Sequence, residues 1–155
     1  MLALLSLSTL TVFGSSSSAQ AQNKCKSEIL VTIERGACFG ACPIYSAQIY
    51  ADGRVVYKGM ANVKVKGEKR HKISKNKIKQ LVKAFEQAGY FSLKDKYETD
   101  ENGNIPTDLP STTTSICLHG KQKRVVNYYR APKKLSELEG KIERIAGLHE
   151  LIGPH

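Results

Sequence analysis

Two strand-like runs, Ile44 to Tyr50 and Arg54 to Lys58, flank an Asp52-Gly53 pair, and this arrangement constrains the fold more than any other feature of the chain. An Asp-Gly pair between such runs is a strong hairpin signal, because a tight two-residue turn needs positive φ at both positions. Upstream, Ile29, Val31 and Ile33 alternate with Leu30, Thr32 and Glu34, the period of a strand with one mainly apolar face. Downstream, Val63 and Val65 alternate with Lys64 and Lys66, which predicts a third antiparallel strand over 62–66 with a basic outer face. Thr112, Thr114, Ile116 and Leu118 mark another strand, His119-Gly120 its turn, and Gln122 to Tyr129 its hairpin partner.

Two helices interrupt these hairpins. Ser74 can cap the first, Ile73 and Ile78 form a hydrophobic staple, and Ile78, Leu81, Val82, Phe85 and Ala88 make one buried stripe ending at Gly89. Lys75 and Lys77 sit at its positive end, against the macrodipole. Pro132 starts the second, with Leu135, Leu138, Ile142, Ile145 and Leu148 at helical spacing and Gly140 in its interior. The predicted order is β-β-β-β-α-β-β-α, an α+β domain: an antiparallel sheet of hairpins with two helices packed on one face. Between them, Ser92 to Pro110 is polar and aperiodic, and reads as a long loop.

The N-terminus reads as an export signal. Leu2 to Phe13 is apolar but shorter than the roughly 20 residues of a membrane-spanning helix, and Ala19-Gln20-Ala21 has the small-x-small pattern of a cleavage site. Residues 1–21 are the expected signal peptide and 22–155 a single α+β domain, periplasmic or secreted. A lipid-anchored product needs a Cys directly after the cut, whereas Cys25 follows Gln22-Asn23-Lys24. The formal charge of +10 falls wholly on the mature part and favours anionic partners.

In an oxidising compartment the four cysteines, Cys25, Cys38, Cys42 and Cys117, allow three pairings. Cys38 with Cys42 and Cys25 with Cys117 is the favoured set. The first pair brackets a turn containing Gly40, which can bring the α-carbons within the roughly 4.4–6.8 Å a bridge requires. Two other chemistries stay open for Cys38 and Cys42. They can cycle between dithiol and disulfide if a nearby positive charge stabilises one thiolate, and Arg35 is the only close basic residue in sequence. As thiolates they can also hold Cu(I).

The run Arg35-x-x-Cys38-Phe39-Gly40-x-Cys42-Pro43-x-Tyr45, followed by Ile49, Asp52-Gly53 and Val56-x-Lys58-Gly59, resembles a bacterial exported family, the domain of unknown function six-four-three-eight. Gly89-Tyr90-Phe91-Ser92-Leu93-x-Asp95-x-Tyr97 and Thr107-Asp108-Leu109-Pro110 fit the same family, so the resemblance covers nearly all of the mature chain. It implies the fold and export but no activity. Cys25 and Cys117 lie outside its pattern, which favours their pairing with each other. It also implies a surface cleft near the cysteine loop lined by Tyr45, Asp95, Tyr97 and Asp108.

Between Lys58 and Lys83 stand ten Lys or Arg residues and one acid, Glu68. This is either a face that docks on an anionic envelope polymer or membrane surface, or a solvated face that keeps the protein soluble. Few aromatics are interleaved with the charges and export removes the usual partners, which argues against nucleic acid. Asp95, Asp100, Glu101 and Asp108 match no calcium-loop spacing, and Asp108 reads as a turn or cap residue. His71, His119, His149 and His155 share no metal-ligand spacing with each other or with a cysteine. With no recognisable catalytic motif and no implied cofactor or metal, the sequence points to a binding or accessory module for an unknown protein or anionic polymer. Thiol-disulfide exchange or Cu(I) binding through Cys38 and Cys42 is the alternative.

Overall fold

The computed structural model describes residues 28–154. Seven strands form one sheet: β1 (Ile29–Arg35), β2 (Ile44–Tyr50), β3 (Arg54–Ala61), β4 (Gly67–Lys72), β5 (Lys96–Tyr97), β6 (Thr112–Leu118) and β7 (Lys121–Asn127). The helices are α1 (Lys75–Gln87), α2 (Lys133–Ile145) and α3 (His149–Ile152). The sheet order is β4-β3-β2-β1-β6-β7-β5, antiparallel throughout except for the short parallel pairing of β5 with β7. The α+β architecture is the one the sequence predicts. The expected signal peptide and Cys25 lie outside the described residues.

One face of the sheet is buried under the helices. Val31 and Ile33, Tyr45, Ala47 and Ile49, and Val55 and Tyr57 alternate inward and pack in one core with Leu81, Phe85, Leu135, Leu138 and Ile142. Burying each large apolar side chain contributes about 1.5–3 kcal/mol, enough for the α1 stripe to offset the placement of Lys75 and Lys77 at its positive end. Ser74 caps α1 by accepting from the Lys77 N–H at 3.3 Å, and Gly89 leaves the helix at φ 59°.

Four local expectations are corrected. The β2–β3 connection is a three-residue turn in which only Gly53 takes positive φ, 90°, with Gly53 N donating to Tyr50 O at 3.0 Å. A Cβ at Gly53 would lie 2.3 Å from the Ile73 carbonyl oxygen, so close backbone approach also requires glycine. The third antiparallel strand is 67–72, not 62–66. Asn62 turns the chain at φ 53°, and Lys64 N and Val65 N donate to the Ile152 and Leu151 carbonyls, which removes them from the sheet ladder. Ser92 to Pro110 is not structureless, since a single 3-10 turn (Tyr90–Ser92) overlaps its start and Lys96–Tyr97 pairs with β7. Finally, Leu148 lies beyond α2, in the corner before α3, where Gly147 at φ 71° has broken the helix.

Candidate functional site

Strand alternation carries the inward face of the sheet to polar residues at one end. Arg35 follows Val31 and Ile33 in phase, so its guanidinium points into the sheet–helix layer rather than to solvent. Arg35 pairs across the ladder with Tyr45 on one side and Thr112 on the other; Thr112 pairs with Asn127, and Asn127 with Tyr97. The result is a transverse polar row over five adjacent strands.

Helix α2 lays Ser136, Glu139 and Glu143 over this row. Glu143 Oε1 accepts from Arg35 Nε at 2.8 Å and from the Tyr45 hydroxyl at 2.5 Å, and Arg35 Nη2 lies 2.7 Å from the same oxygen. Arg35 Nη1 donates to Thr112 Oγ1 at 3.1 Å. Asn127 Nδ2 donates to Glu139 Oε1 at 2.9 Å and to Ser136 Oγ at 3.3 Å. Both glutamates are only 3 % exposed.

Burial pushes the Glu139 carboxyl up to about 7, helped by the nearby Glu143 charge and opposed by Asn127, Arg35 and Thr112. Burial likewise raises the Tyr45 hydroxyl, and Glu143 raises it further. For Arg35 burial alone would lower the value, but the Glu143 and Tyr45 contacts outweigh it and hold the guanidinium charged. The carboxylates of this row are sealed from solvent, and their contacts tie α2 to the ends of β1, β2 and β7.

Arg35 and Tyr45 of this row flank the loop between β1 and β2. Cys38 and Cys42 are joined in a disulfide with α-carbons 5.9 Å apart, and Gly40 between them takes φ 133°. At the loop base Gly36 N donates to Ser111 O at 2.8 Å, and a Cβ at Gly36 would sit 2.4 Å from Ser111 Oγ. Phe39 N donates to Asp108 O at 3.2 Å, and Asn62 Nδ2 to Cys42 O at 3.0 Å. The Phe39 side chain projects outward, 87 % exposed. The Asp108 segment is itself pinned, since the Tyr128 hydroxyl donates to Pro106 O at 2.6 Å and accepts from Leu109 N at 3.3 Å. No described cysteine is free; Cys117 is also in a disulfide, and its expected partner Cys25 lies outside the described residues.

The structure distributes Tyr45, Asp95, Tyr97 and Asp108 over three places. Tyr45 is wholly buried in the core. Asp108, at φ 67°, abuts the disulfide loop through its carbonyl. Asp95 and Tyr97 lie at the far edge: Asp95 is ion-paired with Lys123, and the Tyr97 hydroxyl accepts from Lys94 N at 3.1 Å. Tyr97 is four strands from Tyr45, about 19 Å at ordinary strand spacing. It lines a separate cleft of about 390 Å³ with Tyr129 and Arg130.

The loop acids are spent locally. Asp100 accepts from Asn102 N, Asn104 N and Asn104 Nδ2 at 2.8–3.1 Å, which holds it below the usual carboxylate range, and Glu101 pairs with Arg130 at 2.8 Å. Among the described residues no group of three His, Cys, Asp or Glu is placed to hold a metal, and no helix is long and apolar enough to cross a membrane.

Glu139 and Glu143 escaped the sequence reading because they flank the apolar stripe of α2 and look like solvated positions. The signal was Arg35: a guanidinium carried inward by strand phase is stable only where an opposite charge or hydrogen-bond acceptors meet it.

A search of the curated proteins finds no match to this chain. A family model described as a domain of unknown function (DUF6438) matches residues 29–146, from the start of β1 through the disulfide loop to the residue after α2, with Glu143 included. The chain belongs to this family of domains of unknown function.

Proposed function

We propose that this is an exported, non-catalytic binding module of the cell envelope, in which the disulfide-closed loop presents Phe39 to a protein partner. The observation that carries the reading is the contrast between an aromatic side chain 87 % exposed at the loop tip and the immobilised base beneath it. A large aromatic on a pre-ordered loop is well suited to anchoring an interface, because little conformational entropy remains to be lost on binding. Arg35, the charge that could have activated a cysteine, has its Nε, Nη1 and Nη2 engaged by Tyr45, Glu143 and Thr112, which favours a structural bridge over a reactive pair. Export to the periplasm or beyond rests on the apolar stretch before Ala19-Gln20-Ala21 and on the disulfide, since such bonds persist in oxidising compartments.

The test is a photo-reactive phenylalanine analogue placed at position 39 and, separately, at exposed position 91, in cells of the native host. A discrete cross-linked protein from position 39 alone supports the reading. Identical patterns from both positions, or none from either, contradict it.

A further inference from the structure

The helices cover one face of the sheet, and strand alternation turns Thr32, Thr113, Ser115 and Cys117 to the other. Thr114 and Ile116, between the last three, are wholly buried on the helix side. Across the two central strands, Thr32 Oγ1 and Ser115 Oγ lie 2.6 Å apart, so the middle of the helix-free face is hydroxylated and uncharged. Cys117 stands one step beyond the Val31–Ile116 pair, beside Leu30, at the end of β1 opposite the Cys38–Cys42 loop. It is disulfide-bonded, Cys38 and Cys42 are bonded to each other, and the sequence holds one further cysteine, Cys25. A straight continuation of β1 would carry Cys25 five residues past Leu30, about 17 Å from Cys117. A bridge needs α-carbons within roughly 4.4–6.8 Å. The entry of β1 already departs from a straight ladder: Leu30 is an extra residue between the Ile29–Tyr50 and Val31–Ile49 pairs, and such a bulge bends its strand.

We propose that Cys117 is bridged to Cys25 within the chain, and that this bond folds residues 22–27 back over the helix-free face, against Thr32 and Ser115. The occupant of the centre of that face is then the chain's own N-terminal segment. Gln22 and Asn23 carry side-chain amides, which donate to and accept from hydroxyl groups, and three residues upstream of Cys25 reach about 10 Å. A second copy is the poorer occupant, because Thr32, Thr113 and Ser115 offer no apolar anchor for an interface core. With the Cys38–Cys42 bridge at its other end, central strand β1 is closed covalently at both ends, and the Phe39 loop stays free for a partner. The inference shares only the oxidising compartment with the proposed function.

The experiment is peptide mapping of the exported chain, purified without reductant, joined to nuclear Overhauser spectroscopy of the same sample. A monomer with a Cys25–Cys117 linked peptide is expected, together with cross-peaks from residues 22–27 to the Thr32 methyl group. The Cys25→Ser, Cys117→Ser double variant should lose those cross-peaks while keeping the ones between Ile33 and Thr114, which report the paired strands. Cys117 linked to a second copy or to a small thiol would overturn the proposal. So would an intact Cys25–Cys117 bond in wild type without cross-peaks to Thr32. Reduced Cys25 and Cys117 beside an intact Cys38–Cys42 bridge would overturn this inference alone, whereas reduction of both pairs would overturn the proposed export with it.

Discussion

Arg35 and Glu143 stand 108 residues apart in the chain and meet on one carboxylate oxygen, with Nε at 2.8 Å and Nη2 at 2.7 Å. The contact joins the end of β1 to the last turns of α2, directly below the disulfide loop. Because Glu143 is nearly sealed from water, removing its partner leaves a buried charge uncompensated. Arg35→Ala is expected to cost about 3–5 kcal/mol in urea unfolding, while an Arg35→Met, Tyr45→Phe, Glu143→Leu triple variant, which leaves no buried hydroxyl without a partner, recovers most of that loss. A single-variant cost below about 1 kcal/mol would mean that the pair does not hold the loop base.

Glu139 gives the fold a pH dependence of defined sign. Its folded-state value, about 7, lies above the ordinary 4.5, so the folded protein binds more protons than the unfolded chain between those two values. The associated stability is fully present below about pH 4.5 and is lost as pH rises through about 7. Glu139→Gln keeps an acceptor for Asn127 and removes the ionisation. Unfolding measured at pH 5 and pH 8 should show wild type losing roughly 2.5 kcal/mol more than the variant over that interval. Parallel profiles would contradict this assignment.

Most of the fold was legible because strand alternation and the α1 stripe are local patterns. What escaped has non-local causes. The loop 62–66 alternates like a strand, but its amides are taken by carbonyls of Leu151 and Ile152, nearly ninety residues away. β5 is two residues long and exists only because β7 offers an open edge. The polar row was half visible, in that Arg35 and Tyr45 belong to the recognised motif, but their shared acceptor sits on a helix whose glutamates resemble surface residues. The Asp108 segment and the cysteine loop read as separate motifs, and one backbone hydrogen bond joins them.

Tyr57 is wholly buried, yet its hydroxyl has no hydrogen-bond partner among the described residues. An unsatisfied buried hydroxyl costs about 1–3 kcal/mol, so Tyr57→Phe should be neutral or stabilising by up to about 1 kcal/mol in thermal or urea unfolding. A destabilisation of similar size would reveal a partner for this hydroxyl.

The disulfide and the aromatic it presents should separate cleanly. Cys38→Ser with Cys42→Ser is expected to lower stability by about 2 kcal/mol, the chain-entropy value for so short a loop. Phe39→Ala should change stability by less than about 0.5 kcal/mol, since an 87 % exposed side chain buries little in the folded state.

The most direct test of a loop that serves as a staple is the reduction potential of the Cys38–Cys42 bridge, read by peptide mass spectrometry after alkylation across a graded glutathione series. The account predicts a potential below about −300 mV, with the bridge intact through the physiological range. Opening near about −120 to −200 mV would contradict it and make thiol exchange the working chemistry of this domain.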